Sequence, residues 1–398
     1  MIESLLQAVA AGIVFCLVQF VAALPWLAFL DFTAFKALLR RPRSYAAALG
    51  GVVGVGVFVG LVFGLLVRDR DVIATWGRVY GSVLFAQLMA DVVVVLFGLL
   101  FLTWPKGASV AQAAFREGVR QPMFWFITVF AVVVLLALPI IPYFTFGEDL
   151  KMVTELGFST IMVCAGGFGV LAAAMSISEE IEGRTAITLM SKPVSRRQFL
   201  LGKFAGLLLA SLAMTAALTW VFEWVLVFKP YIDKEPLPPP PFLDMLTQSW
   251  SSLGPVAAYL LRGAVWWLSE AGGTLPGITL GFCQAMVLIA IAVALATRLP
   301  MVVNVVTCVV VYFLGHLTPL LAQVSQNRLP LVQFVAQLFG NLLPGLDYFD
   351  LGPAIVRDAS LPPGAFAIYL GTVALYAALY TAISLLFGLI LFEDRDLA

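Results

Sequence analysis

Apolar residues run along this chain in long, nearly unbroken blocks. Nine of them, roughly 8–30, 45–67, 79–102, 123–146, 157–177, 204–228, 277–297, 301–322 and 365–392, reach the about 20 residues an α-helix needs to cross hydrocarbon. The pattern predicts an all-α polytopic integral membrane protein with about nine transmembrane helices. Glycines 50, 51, 54, 56, 60 and 64 crowd the second block, and small residues there predict close helix packing. Two long polar-punctuated segments stand apart. Residues 229–276 contain PLPPPP at 236–241, a stiff extended spacer. PVAAYLLRGAVWWLSE follows and reads as an interfacial helix anchored by Trp266 and Trp267. Residues 323–364 are too apolar for a free loop and too broken by Pro and Gly to span. They fit a re-entrant or surface-lying helical pair.

Composition sharpens this. The chain is 62% hydrophobic and 12% charged, with mean hydropathy +1.01. A soluble domain has about 45–50% apolar and about 25% charged residues, so a water-soluble fold is excluded. The net charge is zero, and nothing points to nucleic acid. Cys16, Cys164, Cys283 and Cys308 all lie inside apolar blocks without CxxC spacing. They read as reduced core residues rather than disulfides or metal ligands. The first residues, MIESLLQ, lack a basic n-region, so the first block is expected to stay in the membrane.

Lys and Arg set the orientation. With the N-terminus outside and the C-terminus cytoplasmic, the inner segments 31–44, 103–122, 178–203, 298–300 and 393–398 hold 14 of the 23 basic residues. That fits the positive-inside bias for a multi-pass protein of the plasma (inner) membrane. RDRDVIATWGR at 68–78 places three arginines outside and argues the other way.

One inner segment is unusual. ISEEIEGRTAITLMSKPVSRRQFLLGKFAG, residues 177–206, carries eight charged residues between Glu179 and Lys203. Each would cost about 2.5–3.5 kcal/mol at mid-bilayer, so the segment lies outside the hydrocarbon. Ser176 with Glu179 fits a capping box and Ser195 with Gln198 fits a second. Glu180 and Arg184 are one turn apart and can pair. Pro193 stops the first helix, and Lys192 suits its end. The spacing predicts a short helix over about 177–192, tied at both ends to spans. It is either an ordinary solvated inner loop or a docking element that passes a push from a cytoplasmic partner into the membrane.

These residues also resemble the loop between the second and third core spans of ABC transporter permeases of type 2. Glu180, Thr185, Pro193, Val194, Ser195, Arg196, Gly202 and Lys203 match that family's pattern in order. AFREGVRQPMFW (114–125) resembles the amphipathic elbow helix before the first core span. LLPGLDYFDL (342–351) resembles the Pro-and-aromatic segment before the last span, and FEDRDLA the cytoplasmic tail. The resemblance implies a six-span permease core over 106–398, with an elbow helix near 110–122 and a coupling helix near 177–192, preceded by a three-span region at 1–105. It implies a dimer with a second permease copy or a paralogue, set in the lipid bilayer. A separate cytoplasmic ABC ATPase would carry ATP and Mg and dock on Glu179, Glu180, Glu182, Arg184, Thr185, Lys192, Pro193 and Arg196. The chain itself would be an exporter subunit, not an enzyme, with no cofactor of its own. No G-x-x-x-x-G-K-[ST] occurs, and LLGKFAG has Phe204 where a P-loop needs Ser or Thr.

Asp91 is the sole ionisable residue near a bilayer centre, with Gln87 one turn away. An intramembrane acid is a candidate functional residue, so a rival function is an ion- or proton-coupled secondary transporter. That class usually shows repeated halves and broken midplane helices, which are not evident here. An intramembrane enzyme lacks a catalytic pair. A non-transporting membrane anchor of the same family is the remaining alternative. His316, the only histidine, has no ligand neighbours in the sequence and reads as structural. Gln284 and Asn304 read as interhelical hydrogen-bonding groups, and Glu223, near the outer end of its span, as close to water.

Overall fold

The computed structural model describes residues 2–30, 32–67, 69–141, 143, 148–182, 195–234, 240–325, 330–351 and 363–393. Among them the chain is helical, with no strand. The helices are α1 (Ile2–Leu30), α2 (Phe32–Arg40), α3 (Pro42–Leu66), α4 (Arg70–Thr103), α5 (Pro105–Arg120), α6 (Pro122–Ala137) and α7 (Asp149–Glu182). Then come α8 (Arg196–Ile232), α9 (Pro241–Ser249), α10 (Pro255–Ala296), α11 (Met301–Ser325), α12 (Pro330–Leu342) and α13 (Pro363–Glu393). Seven of the thirteen open on proline. At the first helical position its missing N–H costs nothing and its fixed φ suits the helix.

Eight of the described helices, α1, α3, α4, α6, α7, α8, α10 and α13, are long and apolar enough to cross a membrane. The protein is a multi-pass membrane protein. The eighth predicted span, 301–322, falls on α11, whose stretch Met301–Leu317 is a shorter apolar helix. The predicted interfacial helix at 255–270 is not a separate element. It is the first half of α10, which runs 42 residues with Pro276 inside it. That is about 63 Å against about 30 Å of hydrocarbon. Trp267 is buried, and the Trp266 ring lies 4.1 Å beneath the Arg78 guanidinium.

The chain divides into two compact units, Met1–Gly98 with Lys234–Thr274, and Leu99–Asp233 with Leu275–Ala398. Residues 234–274 thus group with the N-terminal helices. In this first unit α1 and α3 lie antiparallel, backbone against backbone. A Cβ at Gly56 would fall 2.6 Å from the Ile13 Cα, and one at Gly60 would overlap Val9. The crowding predicted from the glycines holds there, whereas Gly50, Gly51 and Gly54 face open space. Gly77, Gly81 and Gly263 allow the same closeness between α4 and α10.

The second unit holds the larger core, including Phe168, Phe199, Leu207, Met214 and Phe222. α7 and α8 run antiparallel through it. α5 presses on the start of α8, where Gly202 and Gly206 face Val110 and the Ala111 carbonyl. α10 and α11 are joined as predicted. Asn304 Nδ2 donates to Ala292 O (2.9 Å), and Gln284 Nε2 lies 3.2 Å from His316 Nε2. Glu223 is buried rather than near water. Of the predicted pair at 323–364, α12 is one helix, followed by a 3-10 turn at Leu346–Phe349. Three tyrosines of α13 hold this stretch. Tyr380 donates to Leu342 O (2.8 Å) and Tyr369 to Tyr348 O (2.7 Å), while Gly345 N–H donates to the Tyr376 hydroxyl (2.9 Å).

Candidate functional site

The charged segment begins inside a helix, not at one. α7 continues unbroken through Ser176 and Glu179 to Glu182, so the predicted capping box at Ser176 does not open an element. The reason is what Ser176 touches. Its side chain is buried, and its Oγ accepts from Lys203 Nζ at 2.7 Å and donates to Glu117 Oε1 at 3.3 Å. Inside a packed helix seam those partners outweigh a local cap. The second box forms as predicted. Gln198 N–H donates to Ser195 Oγ (3.2 Å), and Ser195 N–H to Gln198 Oε1 (3.0 Å), so α8 starts where the sequence places it.

Lys203 is the centre of the arrangement. Its side chain is 5% exposed, and Nζ lies 2.8 Å from Glu180 Oε1 and 3.0 Å from Glu117 Oε2. With Ser176 Oγ this makes three partners for the three protons of an ammonium. α5 supplies Glu117, α7 supplies Ser176 and Glu180, and α8 supplies the lysine. Glu180 is the more buried of the two carboxylates, at 21% against 42% exposed, and removing one partner of a buried pair costs about 3–5 kcal/mol, because a charge is left uncompensated. Three helix ends are thereby bound around the point where residues 183–194 leave and return.

Further contacts extend this collar. Arg196 Nη1 donates to Phe392 O and Glu393 O, each at 2.9 Å, and Arg298 Nε donates to Leu391 O at 2.9 Å. The last carbonyls of α13 have no partners within the helix, and cations suit that end of its dipole. Ser178 Oγ donates to Leu299 O at 3.4 Å.

The predicted site residues therefore separate. Glu179 is exposed on the last turns of α7, and Glu182 is that helix's last residue. Glu180 turns inward to Lys203 rather than lying on a fully solvated face, and its predicted pairing with Arg184 falls outside the described residues. Arg196 also turns inward, to the end of α13. Arg184, Thr185, Lys192 and Pro193, with the predicted helix beyond Glu182, lie outside the described residues. The sequence did not single out Glu117, Ser178 or Arg298. A lone Glu on the small-residue face of a predicted elbow helix was the available signal.

Asp91 belongs to the first unit, on α4. It is 8% exposed, and its Oδ1 has no hydrogen-bond partner among the described residues. Its expected neighbour Gln87 instead accepts from Gln19 Nε2. The four cysteines are free thiols. Among the described residues no three His, Cys, Asp or Glu side chains gather as a metal site.

Compared with known proteins, residues 108–397 match the family described as ABC-2 family transporter protein. No curated protein matches the chain.

Proposed function

The chain belongs to the ABC-2 family of transporter membrane proteins, and on that premise we propose that it is the permease subunit of an ATP-driven exporter. The ABC-2 match covers all but the N-terminal 107 residues and the last one. Permeases of this kind pair with a separate ATPase. The observation that carries the docking reading is the collar around residues 183–194. The helices that precede and follow this segment, with α5, share one buried ammonium. When the ATPase closes and pushes this segment, α5, α7 and α8 cannot part without stranding Lys203. Their inner ends move together, and the core of the permease, paired with a second copy or a paralogue, tilts between inward-open and outward-open states.

The test uses residues outside the collar. Glu179→Lys and Arg184→Glu each reverse a charge at the proposed docking face, and Glu179 is exposed on α7. Both should lower co-purification with the ATPase and the ATPase rate of the complex, since a reversed charge against a complementary surface costs several kcal/mol. Membrane levels should hold. Wild-type values in both variants would remove the docking role.

A second reading, ion- or proton-coupled transport through Asp91, draws on its buried, unpartnered Oδ1. Asp91→Asn keeps the shape and removes the charge. Intact transport in that variant leaves the ATP-driven reading alone. Lost transport with a normal membrane level and a changed pH profile favours the ion-coupled one.

A further inference from the structure

Lys203 has a counterpart at the opposite end of the same helix. Lys229 is 3% exposed in its side chain, and its Nζ lies 2.8 Å from Asp233 Oδ1 and 3.8 Å from Asp149 Oδ2. It also donates to Pro139 O at 3.4 Å and stands 5.8 Å from the Tyr143 ring centroid. Tyr143 donates its own hydroxyl to Leu138 O (2.9 Å). Burial, and then the Asp149 carboxylate, push its phenol up, so it stays neutral beneath the ammonium.

The two lysines are about 39 Å apart along α8 at about 1.5 Å per residue, more than the about 30 Å of hydrocarbon. Each is paired to α7, one through Glu180 and the other through Asp149, at opposite ends of that helix. Two more contacts lie between. Ser211 Oγ donates to Ala165 O at 2.8 Å. The Phe222 ring occupies the space a side chain at Gly157 would need and meets Phe158 edge-on at 5.8 Å. All four contacts keep one antiparallel register. On the other flank of α7 the packing is looser. α7 packs on α10, with Gly169 against Ile289 and Gly277 against Phe158, but beside α11 a cleft of about 230 Å³ opens, lined by Met162, Gly167, Val170, Leu288, Val309 and Phe313.

We infer that Lys203 and Lys229 are positioning residues that clamp α7 and α8 into one rigid lever. A displacement of residues 183–194 then arrives undivided at the turn around Pro139 and Asp149, and the yielding occurs along the cleft beside α11. The lever is a property of the chain. That a push drives it rests on the proposed coupling to an ATPase.

Two spin-label pairs in the full-length permease, held in nanodiscs with its ATPase, test this. The first joins Ser159→Cys on α7 to Arg197→Cys on α8, both exposed and outside the proposed docking residues. The second joins Ser159→Cys to Ala367→Cys on α13. Between nucleotide-free and ATP-trapped states the first distance should shift by less than about 2 Å and the second by more, the scale of helix shifts in switching proteins. Lys229→Met should broaden the first distance distribution even without nucleotide, and Lys229→Arg should restore it. A first distance that moves as far as the second overturns the inference. So does a Lys229→Met distribution as narrow as wild type. Should Lys229→Met fail to reach the membrane, the wild-type pair alone decides. A second distance that ignores nucleotide counts against the coupling reading, and the widths of the first pair still judge the clamp.

Discussion

At the scale of the residue, Glu180 shows where the sequence misleads and why. Sequence pattern places it on a solvated helix beside Arg184, because Ser176 and Glu179 have the spacing of a helix start. The helix had already begun 27 residues before Ser176, at Asp149, so Glu180 faces a direction set by α7 as a whole, toward Lys203. No local motif could tell the two apart, since a buried lysine is recognised only by the carboxylates that tertiary packing brings to it. The consequence is measurable. Glu180→Lys would set a second ammonium against the first and should destabilise the fold by about 3–5 kcal/mol, the cost of breaking a buried pair. The readouts are membrane level and the melting temperature of the purified protein. Exposed Arg197→Glu should stay within about 0.5 kcal/mol of wild type, as surface changes usually do. Equal behaviour of the two variants would mean that Lys203 does not depend on Glu180.

At the scale of the element, one helix start was legible and helix lengths were not. The Ser195–Gln198 box rests on a local signal, a hydroxyl facing an amide three residues on, whereas the elbow helix was implied by the family resemblance. α5 turns Gly107, Ala108, Ala111, Ala114 and Gly118 inward, and that stripe is readable in the sequence. Its fit to α8 is not, because Gly202 and Gly206 lie in an apolar run where glycine gives no hint of its partner. A Cβ at Gly206 would overlap the Ala111 carbonyl, which is backbone and cannot swing aside. Gly206→Val should therefore cost at least the about 1–3 kcal/mol of an overpacked site and lower the melting temperature. Gly51→Ala, in open space, should leave it nearly unchanged. The 42 residues of α10 escaped notice because Gly272, Gly273 and Pro276 are breakers by propensity, and each half of the helix is held by its own neighbours.

At the scale of the molecule, the class and the family were legible, from hydropathy and from the order of Glu180, Thr185 and the Pro193–Arg196 run. The grouping of residues 234–274 with the N-terminal helices was not, since the contacts that join them are carbonyls and glycines far apart in sequence. Orientation remains a prediction of the basic-residue bias. Cysteines introduced at 41 and 196 should react only with reagents that reach the cytoplasm, and one at 238 with impermeant reagents from outside. Labelling of residue 196 from outside would put the collar on the wrong face for an ATPase. The grip of Arg196 on Phe392 and Glu393 also orders events during synthesis. These partners are 196 and 197 residues apart, so the ribosome has completed α8 long before the carbonyls that Arg196 holds exist. Until α13 is made and inserted, the arginine at the root of α8 has no helix end to grip. A nascent chain stalled before residue 363 should thus present the proposed docking face half-built, and recruitment of an ATPase to such a chain should wait on translation of α13.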